Sequence, residues 1–285
     1  MTGENFGNNA QLYDDSRPRF QEGYYAHAMN ELVKHAALNE GDTVVEIGMG
    51  TGLGTEALLA RGLNVVGVEP DPRMITIARE RLKNHVVHTD SDFSKQRDAK
   101  VPSVRFINSR FGEAVESGKL EGAYDGVVAI TAIHWAIRER GRLKTAEMIA
   151  SLLKSRGRLA LIHTPLDVYS PRVAKFSDAS EHLLPEEYRG VLPDREARLS
   201  RSADDIPLRD FTPYLKPVSY QHWTVEHELP VDTYLKLIQT YWEVLKLSPD
   251  AHKRLLSVLR NVSIEEFDSK VPVAHAILLQ VEELA

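Results

Sequence analysis

Between residues 43 and 164 five short apolar runs alternate with helix-like segments, and no other feature restricts the fold as tightly. The runs are TVVEIG (43–48), NVVGVE (64–69), VRFIN (104–108), YDGVVAI (124–130) and GRLALIHT (157–164). Each is continuously apolar and rich in Val and Ile, as strands buried on both faces are. TEALLARG, PRMITIARERLK and RGRLKTAEMIASLLKSRG lie between them with helical patterning. Strand–helix alternation of this kind builds βαβ units and a parallel sheet. Asp71 is placed to cap one of these helices and Pro72 suits its first turn. Gly62 and Gly157 stand where helices are expected to stop.

The rhythm breaks after residue 164. Pro165, Pro171, Pro185, Pro193, Pro207, Pro213 and Pro217 punctuate a mixed-charge stretch. Tyr169, Phe176, Leu183, Leu184, Tyr188 and Phe211 give that stretch something to pack, so it reads as an insertion rather than a linker. Residues 218–227 and 273–281 then read as strands around helices near 230–246 and 248–261.

Composition removes several function classes. The formal net charge is -6, whereas a protein built to hold phosphate backbones is normally basic, so no nucleic-acid partner is expected. The absence of Cys excludes disulfides, thiolate zinc sites and cysteine nucleophiles. The first twenty residues lack the apolar core of a signal peptide, and no run approaches the roughly 20 apolar residues of a membrane span. The expectation is a cytoplasmic protein without membrane attachment.

The stretch richest in chemistry is Val44-Val45-Glu46-Ile47-Gly48-Met49-Gly50-Thr51-Gly52. It reads as a strand carrying an acidic residue, then alternate glycines leading into a helix. Glycines allow a tight turn and close approach of a ligand to backbone. A dinucleotide fingerprint would place its third glycine at relative position six. Leu53 or Thr55 stands there instead, so the nicotinamide reading fails on spacing.

The Glu46-x-Gly-x-Gly-x-Gly pattern resembles the first motif of the class I S-adenosylmethionine-dependent methyltransferases. Val65-Val66-Gly67-Val68-Glu69-Pro70-Asp71-Pro72 resembles the second strand of that family, Phe106 to Phe111 the third-strand region, and Tyr124 to Ala129 the fourth strand. Ala132-Ile133-His134-Trp135 follows as in a small-molecule subgroup that includes trans-aconitate methyltransferases. Phe6, Ala10, Tyr13 and Arg17-Pro18 resemble that subgroup's opening segment, which folds over the cofactor.

The resemblance implies a Rossmann-like α/β fold, with a mostly parallel seven-stranded sheet, helices on both faces and a lid insertion. It divides the chain into a cofactor-covering segment (1–30), a cofactor-binding core (31–164), a lid (165–217) and a C-terminal completion of the sheet (218–285). The implied cofactor is S-adenosyl-L-methionine, giving S-adenosyl-L-homocysteine. Its implied site is Tyr13, Arg17, Glu46, Gly48, Gly50, Gly52, Glu69, Pro70, Met74, Phe111 and Ala129, with Glu69 taking the ribose hydroxyls and Phe111 lying against adenine. Met74 and Phe111 are equally readable as core residues. Family members of the subgroup often carry an acidic residue directly after the third-strand Phe; here Gly112 intervenes before Glu113, which leaves the partner of the adenine amino group open.

His134 and His163 fall at C-terminal ends of expected parallel strands, the edge where ligands bind in open α/β sheets. Together with Trp135 they are expected to line a small-molecule acceptor site. His134 is the candidate general base, because histidine ordinarily titrates near working pH. Asp125 reads as structural, and no histidine set has zinc-ligand spacing, so no metal is expected. The reaction expected is direct displacement of a methyl group onto an oxygen or nitrogen. Nucleic-acid or protein methylation and non-catalytic cofactor binding are the rival readings. Ile130-Thr131-Ala132-Ile133 stands where base-amino methyltransferases usually carry an Asn/Asp-Pro-Pro-aromatic motif.

Overall fold

The structure is a computed structural model that describes residues 9–17, 19, 23–88, 101–164, 170–190 and 209–285. Eight strands form one sheet: β1 (Thr43–Ile47), β2 (Asn64–Glu69), β3 (Val86–His88), β4 (Ser103–Asn108), β5 (Tyr124–Ile130), β6 (Leu153–His163), β7 (Leu215–Pro230) and β8 (Lys270–Leu284). Their spatial order is β3-β4-β2-β1-β5-β6-β8-β7. The pairs from β3 through β6 are parallel, whereas β8 runs antiparallel to both β6 and β7. Seven of these strands make the mostly parallel sheet expected from the sequence, and the three-residue β3 adds an outer edge.

Register explains why the central runs are apolar at every position. Val44 pairs with Val65 and Gly126, and its neighbour Val45 pairs with Val66 and Val127. Successive residues point to opposite faces of a strand. Val44 and Val65 join one buried cluster with Met29, Leu32, Leu58 and Leu82. Val45, Val66 and Val127 join a second, with Ile133, Ile149 and Phe211. Helix α2 (Gly23–His35) therefore belongs to the sheet core, with Ala28, Met29 and Leu32 fully buried, and residue 30 lies in its middle.

The connecting helices follow their local signals. In α3 (Leu53–Leu59) the chain leaves through Gly62 at φ +80, and the Leu63 amide reaches back to the Leu58 carbonyl. Asp71 caps α4 (Pro72–Arg81), accepting from the Arg73 amide at 2.9 Å. α5 (Phe111–Glu116), α6 (Ile133–Arg140) and α7 (Arg142–Leu152) complete the core. Gly157 does not end α7, which stops at Leu152. It lies within β6, where the pairing with β5 jumps from Tyr124–Leu153 to Gly126–Arg158. A Cβ at Gly157 would stand 2.9 Å from the Tyr124 carbonyl oxygen, so the glycine serves close backbone approach.

Among the described residues the remaining α-helices are α1 (Ala10–Ser16), α8 (Pro171–Ser180), α9 (Glu186–Arg189), α10 (Val231–Ile238), α11 (Trp242–Leu245) and α12 (Pro249–Glu266). Phe176 and Leu184, with Tyr188 against them, pack among Leu235, Ile238, Leu255 and Leu259, forming a third core. Leu183 is exposed, and Phe211 sits in the sheet core instead. Tyr169, Phe6, Pro18, Pro165, Pro193 and Pro207 lie outside the described residues. No described helix is long and apolar enough to cross a membrane.

Candidate functional site

A cavity of ≈ 720 Å³ opens at the C-terminal ends of the parallel strands. That edge is where open α/β sheets bind ligands, and the volume falls in the ~300–1,000 Å³ range of small-molecule sites. From the sequence-expected set, Tyr13, Arg17, Gly48, Gly50, Glu69, Pro70, Met74, Phe111, His134, Trp135 and His163 line it. Glu46, Gly52 and Ala129 do not.

The glycine turn forms its floor. Gly48 has φ +70, and a Cβ there would stand 2.6 Å from the Ala132 Cβ, so the turn is wedged against the loop after β5. At Gly50, φ +56, a Cβ would meet nothing nearer than the Met74 Cε at 4.0 Å. That space faces the cavity. Gly52, φ +82, packs against Ala78 of α4 and against Leu82 just past its end, and fixes the helix pair instead.

The two strand-end carboxylates have different tasks. Glu46 follows the pleat away from Ile47, so Ile47 reaches the cavity while Glu46 is buried under α3. There it accepts from the Thr55 hydroxyl at 2.6 Å, and burial pushes its carboxyl up to about 7. Glu69 ends β2 and faces the cavity, accepting from the Asp71 amide on Oε1 (3.0 Å) and from the Gly50 amide on Oε2 (3.1 Å). Burial raises its pKa to about 7 as well, against the pull of those two amides. Asp125 is structural: it accepts from the Thr43 amide at 3.0 Å and pairs with Lys154 at 2.5 Å.

The opposite end of the cavity is polar and aromatic. His134 and Trp135 open α6 with ring centroids 4.9 Å apart. Burial, followed by the nearby Arg138 and Arg209 guanidiniums, lowers the His134 pKa to about 4. The same causes, burial first, then Arg209 and His134, bring His163 to about 4, and its Nε2 is buried without a hydrogen-bond partner. Both imidazoles are therefore neutral at pH 7, and the expectation that His134 titrates near working pH is corrected by its burial. Thr131 beside them has φ +56, a conformation strained for a β-branched residue and held by its amide donating to the Ile162 carbonyl at 2.7 Å.

The wall over the cavity comes from the end of α1 and from the turn between α10 and α11. Arg17 stacks on Tyr13 and Tyr241, with its guanidinium carbon 4.7 and 5.0 Å from the ring centroids. Asp14 anchors α1 to the core through both carboxylate oxygens, at 2.5 and 2.6 Å from Arg81. Of the other aromatics, Trp223 packs on the sheet core and Tyr25 bonds His275, while the side chains of Tyr24 and Trp242 lie outside the described set.

Sequence reasoning missed Arg138, Glu139, Arg209, Thr240, Glu243 and Gln280, all of which line the cavity. Glu139 was findable, since Ala132, Ala136 and Glu139 share one face of α6 by spacing. Arg209 and Gln280 meet only through tertiary contact: the Arg209 amide donates to Gln280 Oε1 at 2.9 Å, and Gln280 Nε2 donates back to the Arg209 carbonyl.

A comparison with protein families matches residues 45–159 to a model described as a methyltransferase domain. An uncharacterised methyltransferase from Geobacillus sp. (strain WCH70) is 37% identical over 86 residues, covering 30% of this chain and 40% of that protein. A ribosomal RNA small subunit methyltransferase A from Anaeromyxobacter dehalogenans is 33% identical over 106 residues, covering 37% and 34%. This chain thus spans well under half the length of the curated relatives it matches. Among solved structures, a candidate type II methyltransferase from Anaeromyxobacter dehalogenans aligns with TM-score 0.57 at 16% identity, covering 94% of this chain and 97% of that one. That likeness is one of fold.

Proposed function

We propose, from the premise that residues 45–159 are a methyltransferase domain of the class I S-adenosylmethionine-dependent family, that this protein methylates an oxygen or nitrogen of a small-molecule acceptor. The observation that supports this reading best is the division of one cavity into two ends. The glycine turn, Glu69 and Phe111 lie at one end, and His134, Trp135, His163 and Arg209 at the other.

The residues fit S-adenosylmethionine. Gly50 leaves open space where the backbone must be approached closely, and Glu69 keeps lone pairs on both oxygens for a diol. Phe111 and Met74 offer apolar surface to a flat ring. Glu46 acts from beneath, shaping the turn through Thr55 without lining the cavity. When bound, the cofactor would supply an electrophilic methyl carbon on sulfur, to which the acceptor's lone pair would bond as the carbon–sulfur bond breaks, with S-adenosylhomocysteine leaving and the acceptor's proton passing to solvent. The protein's own contribution is then positioning and exclusion of water. Tyr13, Arg17 and Tyr241 wall the cavity off. His134, neutral at pH 7, accepts a hydrogen bond from the acceptor's O–H or N–H and orients its lone pair; with a pKa of about 4 it is a weak proton sink.

Methylation of RNA is the second reading, favoured by the ribosomal RNA methyltransferases among the relatives. The net charge of -6 opposes it. Incubation with methyl-labelled cofactor separates the two. Label should move to one of a panel of phenols, carboxylic acids and amines, and not to ribosomal RNA. Label on RNA alone would overturn the acceptor class while leaving the methyltransferase reading intact.

A further inference from the structure

Among the carboxylates that line the cavity, Glu139 has a buried oxygen that nothing donates to. Glu139, near the end of α6, is 10% exposed, lines the cavity alongside Phe111, and has its Oε1 buried without a hydrogen-bond partner. Arg140 Nη1 stands 3.3 Å from that oxygen, but the same guanidinium is engaged by Glu116 through Nε (3.1 Å) and Nη2 (2.9 Å). The Nη1 contact is an ion pair and not a hydrogen bond, so Arg140 offsets charge while the oxygen keeps no donor. A buried acceptor left so is costly unless a ligand donates to it.

The neighbouring glycine makes the room. A Cβ at Gly112 would stand 3.0 Å from Glu139 Oε1 and 2.8 Å from the Arg140 side chain. Its φ lies outside the left-handed region, so glycine is needed there for space and not for conformation. Glu113, the carboxylate next in sequence, is turned outward, 54% exposed and 3.8 Å from Arg110.

We propose that Glu139 accepts a hydrogen bond from the exocyclic amino group of the cofactor's adenine, and so selects adenine over a base with a carbonyl at that position. Glu69 and Phe111 place the nucleoside at this end of the cavity, because β2 and β4 are adjacent and Glu69 pairs in register with Asn108. Phe111 packs the ring while Glu139 meets its amino edge. A carbonyl at that edge would face the carboxylate lone pair to lone pair. The inference rests on the methyltransferase reading, from which its test is separable.

The test is calorimetric titration with S-adenosylhomocysteine and with S-inosylhomocysteine, in which a carbonyl replaces the amino group. The parent should prefer the adenine compound by about tenfold or more, the scale of one hydrogen bond to a charged group. Glu139→Gln can turn an amide N–H toward the carbonyl and should bring the two affinities within about threefold. Gly112→Ala, which crowds Glu139 aside, should narrow the preference in the same direction and covers the case in which Glu139→Gln fails to fold. Glu113→Gln should keep the parent's preference. A parent that binds the adenine compound, with its preference intact in Glu139→Gln or, should that variant not fold, in Gly112→Ala, overturns this inference alone. A parent that binds neither compound overturns the methyltransferase reading, and this inference with it.

Discussion

If Glu69 holds the cofactor as proposed, that single side chain makes cofactor affinity depend on pH. Its carboxyl is raised to about 7 by burial, so the protonated form prevails below that pH. Ribose hydroxyls donate best to the ionised form. Affinity for S-adenosylhomocysteine should therefore rise with pH and level off above about 7, falling by up to about tenfold per unit below it. Calorimetry between pH 5.5 and 8.5 reads this directly, and Glu69→Gln should flatten the profile. His134 makes the opposite kind of prediction. In the proposed role its neutral form is the useful one, and with a pKa of about 4 the acid limb of kcat should lie near 4 instead of near 6.5. His134→Ala should leave cofactor affinity within about threefold while slowing turnover, by less than the ~10² of a strong general base. Glu69 was legible in the sequence because it ends an apolar run. The placement of Glu46 was not, since one step along the pleat decides whether a carboxylate faces the cavity or the core beneath α3.

At the scale of elements, the glycine turn and α1 each carry a prediction. Gly50→Val should fold, because a Cβ there meets open space, but φ +56 strains a branched residue and its methyls enter the cavity. Loss of S-adenosylhomocysteine binding with an unchanged far-ultraviolet spectrum is the expected result. Asp14→Asn removes the charge that ties α1 to Arg81, leaving Arg81 with Glu56 and the Thr51 carbonyl. Amide exchange over residues 10–16 should speed up, while β1 and β2 keep their protection. The core strands were readable because burial on both faces makes them uninterrupted apolar runs. The ends of β7 and β8 were not, since each extends several residues past its apolar stretch as an antiparallel pair running from Leu215–Leu284 to Pro230–Lys270. Gly157 misled for a physical reason: a glycine demanded by close backbone contact looks the same in sequence as one that ends a helix.

For the whole molecule, buried titratable groups set a stability profile with two slopes. His134, His163 and His275 are lowered to about 4, so their folded forms stay neutral where the unfolded chain takes up protons. Stability tied to these histidines is full above 6.5 and is lost as pH falls toward 4. Glu46 and Glu69 are raised to about 7, so stability tied to them is full below 4.5 and is lost as pH rises through 7. Between 4.5 and 6.5 the histidines and the glutamates oppose one another, so stability should change only shallowly with pH. From 4.5 down to about 4 the histidines act alone and stability should fall more steeply. Urea melts across pH 3.5–8 should show a shallow limb, a steep acid limb and a maximum near 6.5.

The most direct test of the central claim, that this cavity is a cofactor site, is the melting temperature and calorimetric heat of the full chain titrated with S-adenosylhomocysteine. Binding in the micromolar range is expected, with stabilisation of about 2.7 kcal/mol at 100 times the dissociation constant. A melting temperature unmoved by millimolar ligand, with no heat of binding, would contradict it.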